Sequence, residues 1–227
     1  QVGGKGLFTK ELDEALFDAR IDFAVHSLKD VPFQLPPGLE FGAFPEREEP
    51  WDAFISGGPR LHEMTPGMTV GTSSLRRQVQ LRHRFPGLQI VPLRGNVDTR
   101  LRKLEAGEFG GIVLTAAGLR RLGHGGRLTE VLGEEQMLPA VGQGALAIVC
   151  RTADASTLAR LSTLDHPATR TAVTAERGLL QTLEGHFGQP RVAAFNHQGN
   201  LLVTAGFDNR LRCWSFPQGE PLVSLGN

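Results

Sequence analysis

The sequence predicts an α/β protein of more than one domain, and three observations carry that prediction. At 227 residues the chain is long enough to bury a substantial core. From Met68 to Leu138, β-prone apolar runs alternate with helical periodicity, which predicts a mainly parallel sheet with helices on both faces. After Pro190 the pattern changes to short β-prone runs separated by turn residues.

Composition narrows the function. The 24 acidic and 24 basic side chains cancel, so no global field draws the chain to nucleic acid or to a membrane. No apolar run reaches the roughly 18 residues of a membrane span, and no signal peptide is expected. A soluble, cytoplasmic monomer is expected. Cys150 and Cys213 are far apart and fit neither a disulfide framework nor a CxxC motif. Histidines lack ligand spacing, so no metal is expected. Gln1 is followed by a glycine loop, so an N-terminal segment of the first domain is expected to be absent.

Charge is segregated along the chain: residues 1–55 are acid-rich and 76–121 base-rich. Thr9 is read as the cap of a first helix whose face is Leu12, Ala15, Leu16 and Ala19. Phe23-Ala24-Val25 is read as a short buried strand, and His26 to Pro32 leaves its carboxyl end, where open α/β sheets place ligands. Asp30, beside Lys29, is either a turn former or a carboxylate that stabilises a nearby cation and shuttles a proton. Proline-rich and acidic connections lead to a crossover near Trp51 to Ile55.

The arginine-rich stretch Gly71 to Leu101 follows. Met68 to Ser73 leads into Ser74 as N-cap, and Leu75 to Arg84 winds as a helix. Leu88 to Leu93 ends at Arg94-Gly95-Asn96, before a helix opening near Asp98 or Thr99 that carries Arg100. Gly111 to Thr115 and Ala116 to Leu122, with Arg120 and Arg121, repeat the pattern. Successive strand-to-helix junctions aim N–H groups and guanidinium forks at one space, which suits a ligand bearing several carboxylates or phosphates. A solvated helical face is the bland alternative for any one arginine. Single-stranded nucleic acid is disfavoured, because Phe85 is the only ring in the stretch. Leu138 to Ala145 is a glycine loop before a strand, Leu146 to Cys150, that leads back to the first domain. A long helix is expected over His166 to Gly185.

Ordered motifs over about residues 1–185, GGKGLFTKEL, DFAVHSLKDVP, GTSSLRRQ, LRGNVDTRL, AAGLRRLG, LPAVGQGALAI and TAERGLLQTLEG, resemble the porphobilinogen deaminase family. The resemblance implies two lobes like those of periplasmic binding proteins and a smaller third domain. Domain 1 would take residues 1–48 and 145–164, domain 2 residues 49–144, and a partial domain 3 residues 165–227. It implies a hydroxymethylbilane synthase, which condenses four porphobilinogen molecules head to tail with release of ammonia, on a dipyrromethane cofactor joined to a cysteine. Matched motif by motif, Asp30 would be catalytic; Lys29, Ser74, Arg76 and Arg77 would hold the cofactor; and Arg94, Arg100 and Arg121 would bind porphobilinogen and the growing oligopyrrole.

The tail departs from the pattern. Phe187 occupies the position at which the resemblance places the attachment cysteine, and a phenyl ring forms no thioether. Val192 to Trp214 is similar to a single WD-repeat blade; because the cysteine and the surrounding pattern vanish together, a foreign or frame-disrupted tail is expected here, with a diverged third domain as the alternative. A non-catalytic module binding polycarboxylates, and a WD-like interaction fragment, are the alternatives to an enzyme.

Overall fold

The computed structural model describes residues 5–32, 34–182, 190–195, 201–206, 211–215 and 221–225. Three sheets organise them. The first is three-stranded and antiparallel, in the order β1 (Phe23–Ser27), β8 (Leu146–Arg151), β2 (Leu39–Ala43). The second has five strands, β5 (Gln89–Val91), β4 (Thr69–Gly71), β6 (Gly111–Thr115), β3 (Asp52–Ser56) and β7 (Glu130–Leu132) in that order. Here β5, β4 and β6 are parallel, whereas β3 runs antiparallel to both β6 and β7. The expectation of a mainly parallel sheet therefore holds for three adjacent strands only. The reason is topological, since the crossover strand β3 enters the sheet from the opposite end.

Period-2 alternation explains why this sheet is covered on both faces. Phe54, Val70 and Val113 point to one side, where they meet Leu81 of α2 (Leu75–Arg84) together with Leu61 and Met137. Ala53, Ile55, Ile112 and Leu114 point to the other, against Leu101 of α3 (Val97–Glu105) and Leu119 of α4 (Ala116–Arg121). Phe54 is fully buried, a burial of about 1.5–3 kcal/mol.

In the first sheet Ala24 and Val149 pack on Leu16 of α1 (Lys5–Phe17), while Ile148 and Cys150 pack on Leu161 of α5 (Ala155–Leu161). Two readings of this region are corrected. Helix α1 includes Thr9, which is buried in it rather than capping it. Strand β1 is not buried: it is an edge strand, and Phe23 and Val25 are about half exposed because α5 covers only its neighbours.

Helix α6 (Pro167–Thr182) places Val173 against Leu28, Phe44 and Ala145. The third sheet is an antiparallel meander, β9 (Pro190–Phe195), β10 (Leu201–Gly206), β11 (Leu211–Ser215) and β12 (Pro221–Leu225). Within it the buried Trp214 Nε1 donates to Thr204 Oγ1 at 2.8 Å. Strand β9 lies against α2. No helix among the described residues is long and apolar enough to cross a membrane.

Candidate functional site

The carboxyl ends of β4, β5 and β6 lie side by side, and each opens into a helix. That edge is where parallel strands present loops and helix N-termini to a ligand. Ser74 is the N-cap residue of α2 and its side chain makes no capping hydrogen bond. Asn96 caps α3, its Oδ1 accepting from Thr99 N at 2.8 Å. Ser73 clasps the first two junctions together: its Oγ donates to Leu93 O at 2.9 Å and accepts from Leu93 N at 3.0 Å. Arg94, the next residue, is exposed there. Arg100 is half-buried, and its Nε donates to Gly95 O at 2.7 Å. Burial, followed by the charge of Arg77, pushes the Arg100 guanidinium below its ordinary pKa. Arg121, after β6, donates from Nη2 to Gly144 O at 2.7 Å.

The sequence aims the guanidinium forks of the strand-to-helix junctions at one shared space, whereas Arg76 and Arg77 turn to a buried acid. Both are buried, and both are paired with Asp52, which is itself fully buried. Arg76 Nη2 lies 2.6 Å from Asp52 Oδ2, and Arg77 Nη2 2.7 Å from Oδ1. The cause is register. Asp52 opens β3 directly opposite Thr115, so it stands at the carboxyl edge of β6, within reach of the first turn of α2. Burial, the largest influence, raises the Asp52 pKa, but Arg77 and Arg76 together outweigh it and hold the carboxyl below its ordinary value. The other amino groups also have protein partners: Arg76 Nη1 donates to Leu138 O and Arg77 Nη1 to Val113 O. Among the described residues, Arg77 Nε is the one buried side-chain polar atom without a hydrogen bond.

Loop 138–145 joins this edge to the first sheet. Gln143 Nε2 donates to Asp52 Oδ1 at 2.9 Å and to Pro50 O at 2.5 Å. Leu28 N donates to Ala145 O at 3.0 Å, which sets the turn Leu28–Asp30 at the end of β1 against the same loop. Lys29 and Asp30 are exposed on that turn. Two glycines make the approach possible: both have positive φ, Gly142 presses on Leu28, and a Cβ on Gly144 would lie 2.3 Å from Glu48 O. Helix α6 fixes the loop from behind. Glu176 Oε2 accepts from Gly142 N at 2.8 Å and Glu176 pairs with Arg47, whose Nε donates to Gln143 O at 2.9 Å. The loop thus touches the Asp30 turn, Arg121 and, through Gln143 and Asp52, the arginine pair.

Sequence reasoning missed Asp52, Gln143, Arg47 and Glu176. Only Asp52 left a readable signal, a lone acid opening the fully apolar run Ala53-Phe54-Ile55. Phe187 lies outside the described residues. Among those described, no group of three or more His, Cys, Asp or Glu side chains could hold a metal.

Residues 1–159 match the family model for porphobilinogen deaminase, dipyromethane cofactor binding domain. Porphobilinogen deaminase of Methylobacillus flagellatus is 50% identical over 91% of the chain and 67% of its own length. The enzyme of Chromobacterium violaceum is 55% identical over 91% and 67%, and that of Thiobacillus denitrificans 49% over 91% and 68%. The chain thus spans about two thirds of these relatives. Among solved structures it is similar to the periplasmic VFT2 domain of BvgS from Bordetella pertussis, with a TM-score of 0.41 and 16% identity over 75% of this chain and 72% of that one. A methionine-binding lipoprotein of Bacillus subtilis, described as putative in its name, gives 0.45 and 11% over 74% and 80%.

Proposed function

The chain belongs to the porphobilinogen deaminase family, and from that premise we propose that it gathers pyrrole carboxylates between the arginine-bearing edge of the second sheet and the Asp30 turn of the first. The family's activity is that of hydroxymethylbilane synthase, a transferase of tetrapyrrole biosynthesis. The observation that carries the reading is the convergence of three strand-to-helix junctions, at β4, β5 and β6, beside a loop that also braces the turn of Asp30.

The donor set fits dipyrromethane. Its pyrroles carry acetate and propionate arms, and Ser74 with the first turn of α2, Lys29 and the guanidinium groups of Arg76 and Arg77 supply donors for them. The buried Arg77 Nε, without a protein partner, is one donor still to be satisfied. When bound, the group supplies the pyrrole carbon to which the first substrate is joined. Arg94, Arg100 and Arg121 hold the carboxylates of porphobilinogen and of the lengthening chain. Charge-assisted bonds of about 1.5–3 kcal/mol each are enough to fix one register. Asp30 stabilises the cationic pyrrole left as ammonia departs from porphobilinogen, and its carboxylate carries away the ring proton after bond formation, roles worth about 100-fold to 10,000-fold in rate.

The three sheets correspond in this reading to three domains, residues 1–48 with 145–164, 49–144 and 165–227. A match over 91% of the chain cannot avoid position 187 or the strands next after it, and β9 lies against α2. Both features support a diverged third domain over a WD-like insertion. The chain acts in this account as a cytoplasmic monomer.

Phe187 favours a second reading at one step. With no thiol there, the oligopyrrole is retained by charge alone, and the chain is then a polycarboxylate-binding module without sustained turnover. Mass measurement separates the two. A chain with sustained turnover should keep a two-pyrrole adduct after denaturation, whereas the module should show bare polypeptide under denaturing conditions and a pyrrole-bearing species under native ones, with Phe187→Cys restoring the denaturation-resistant adduct. Absence of any pyrrole-bearing species from both proteins would end the proposal.

A further inference from the structure

We propose that Asp52 is a positioning residue for ligand binding, its one carboxylate setting the planes of Arg76 and Arg77 so that the pair presents a fixed surplus of positive charge to pyrrole carboxylates. The inference rests on the function proposed above and adds to it a residue that touches no ligand.

The stoichiometry argues for it. An ion pair that served only to close a core would match charges one to one. Here two buried guanidinium groups share one buried carboxylate, with Arg76 Nη2 on Oδ2 and Arg77 Nη2 on Oδ1. The trio therefore carries a net charge of one in surroundings where uncompensated charge is costly. Arg100 stands close enough to Arg77 to feel its charge, so the neighbourhood adds positive charge. An anionic ligand is the partner that such an imbalance calls for.

The geometry argues for orientation as well. A guanidinium is a rigid planar fork, so fixing both terminal nitrogens fixes its plane. Each fork is held at both: Arg76 by Leu138 O and Asp52, Arg77 by Val113 O and Asp52. Asp52 is the acceptor they share. Its own position is set by Gln143, whose Nε2 donates to Oδ1 and whose Oε1 accepts from Arg76 Nη2 at 3.3 Å. Because Gln143 belongs to the loop that braces Asp30, the arginine planes are referenced to the far wall of the site.

Asp52→Glu tests the assignment, since it keeps the charge and moves it by one methylene. Nitrogen-15 spectra of the arginine side chains should show the Nε–H signals of Arg76 and Arg77 shifted or broadened while distant backbone amides keep their positions. The Kd for a free dipyrromethane carrying acetate and propionate arms, measured by calorimetry, should rise about tenfold, or 1.4 kcal/mol. Should Asp52→Glu fail to fold, Gln143→Ala leaves every charge in place and should move the same two signals with about a threefold rise in Kd. A folded variant with unchanged arginine signals and unchanged Kd would overturn the positioning role while leaving the proposed function intact. If the unaltered protein binds no porphobilinogen, the proposed function fails and this role falls with it.

Discussion

Replacing Glu176 with Gln tests whether helix α6 holds the loop that joins the two walls of the site. The Glu176 carboxylate lies 2.5 Å and 3.2 Å from the two terminal nitrogens of Arg47 and accepts from Gly142 N at 2.8 Å. Glutamine keeps one acceptor, which Gly142 N can use, but turns an amide donor towards the Arg47 donors. The ion pair is partly exposed, at 15% for Arg47 and 32% for Glu176, so the loss is that of a charge-assisted hydrogen bond, about 2 kcal/mol. For a chain of this size that corresponds to a fall in Tm of about 4–8 °C. Urea unfolding at neutral pH gives the free energy directly. In an Arg47→Met background the same substitution should cost less than about 0.5 kcal/mol, because the pair is already broken. A single-variant loss below about 0.5 kcal/mol, or full additivity with Arg47→Met, would refute the idea that this pair anchors the loop.

Three further outcomes follow from the site. Asp52→Asn should cost about 3–5 kcal/mol at neutral pH, because two buried guanidinium groups lose their shared partner. The folded-state pKa of Asp52 lies below its unfolded value, so its contribution is complete above the unfolded value of about 3.9 and disappears as pH falls through the folded one. Acid titration of stability should accordingly be shallower below pH ~4 in the variant, by up to about 1.4 kcal/mol per pH unit. Gly144→Ala should destabilise by at least about 3 kcal/mol, since it adds left-handed strain to a Cβ placed 2.3 Å from Glu48 O; a thermal melt within a degree of the parent would contradict this. Asp30→Asn, in this chain or in a relative of full length, should leave pyrrole binding within about threefold while ammonia release slows at least about 100-fold. Equal loss of both would make Asp30 a structural residue.

Much of the second sheet was legible because its signals are local. The run Gly111 to Thr115 and the helix after it, and Ser74 before Leu75 to Arg84, were read at their observed places from periodicity and capping alone. Thr9 misled for a physical reason. A threonine before acidic residues resembles a cap, yet α1 runs back through Gly6 to Lys5 despite the glycine, and Thr9 is buried within it. The exposure of Phe23 and Val25 was hidden because a strand's residues do not reveal that it lies at a sheet edge. The arginine junctions could be read from their spacing, but the inward turn of Arg76 and Arg77 could not. It depends on Asp52 meeting Thr115 across an antiparallel ladder, with 62 residues between the two. The same holds for Gln143, whose role arises only when loop 138–145 reaches back to Pro50 and Asp52.

The most direct test is a porphobilinogen titration of the intact chain, repeated at raised ionic strength and with Arg94→Gln, Arg100→Gln and Arg121→Gln. Saturable binding that weakens with salt, and by about tenfold with each arginine removed, is the predicted result. Binding that is absent at millimolar ligand, or indifferent to all three substitutions, would contradict a shared carboxylate site.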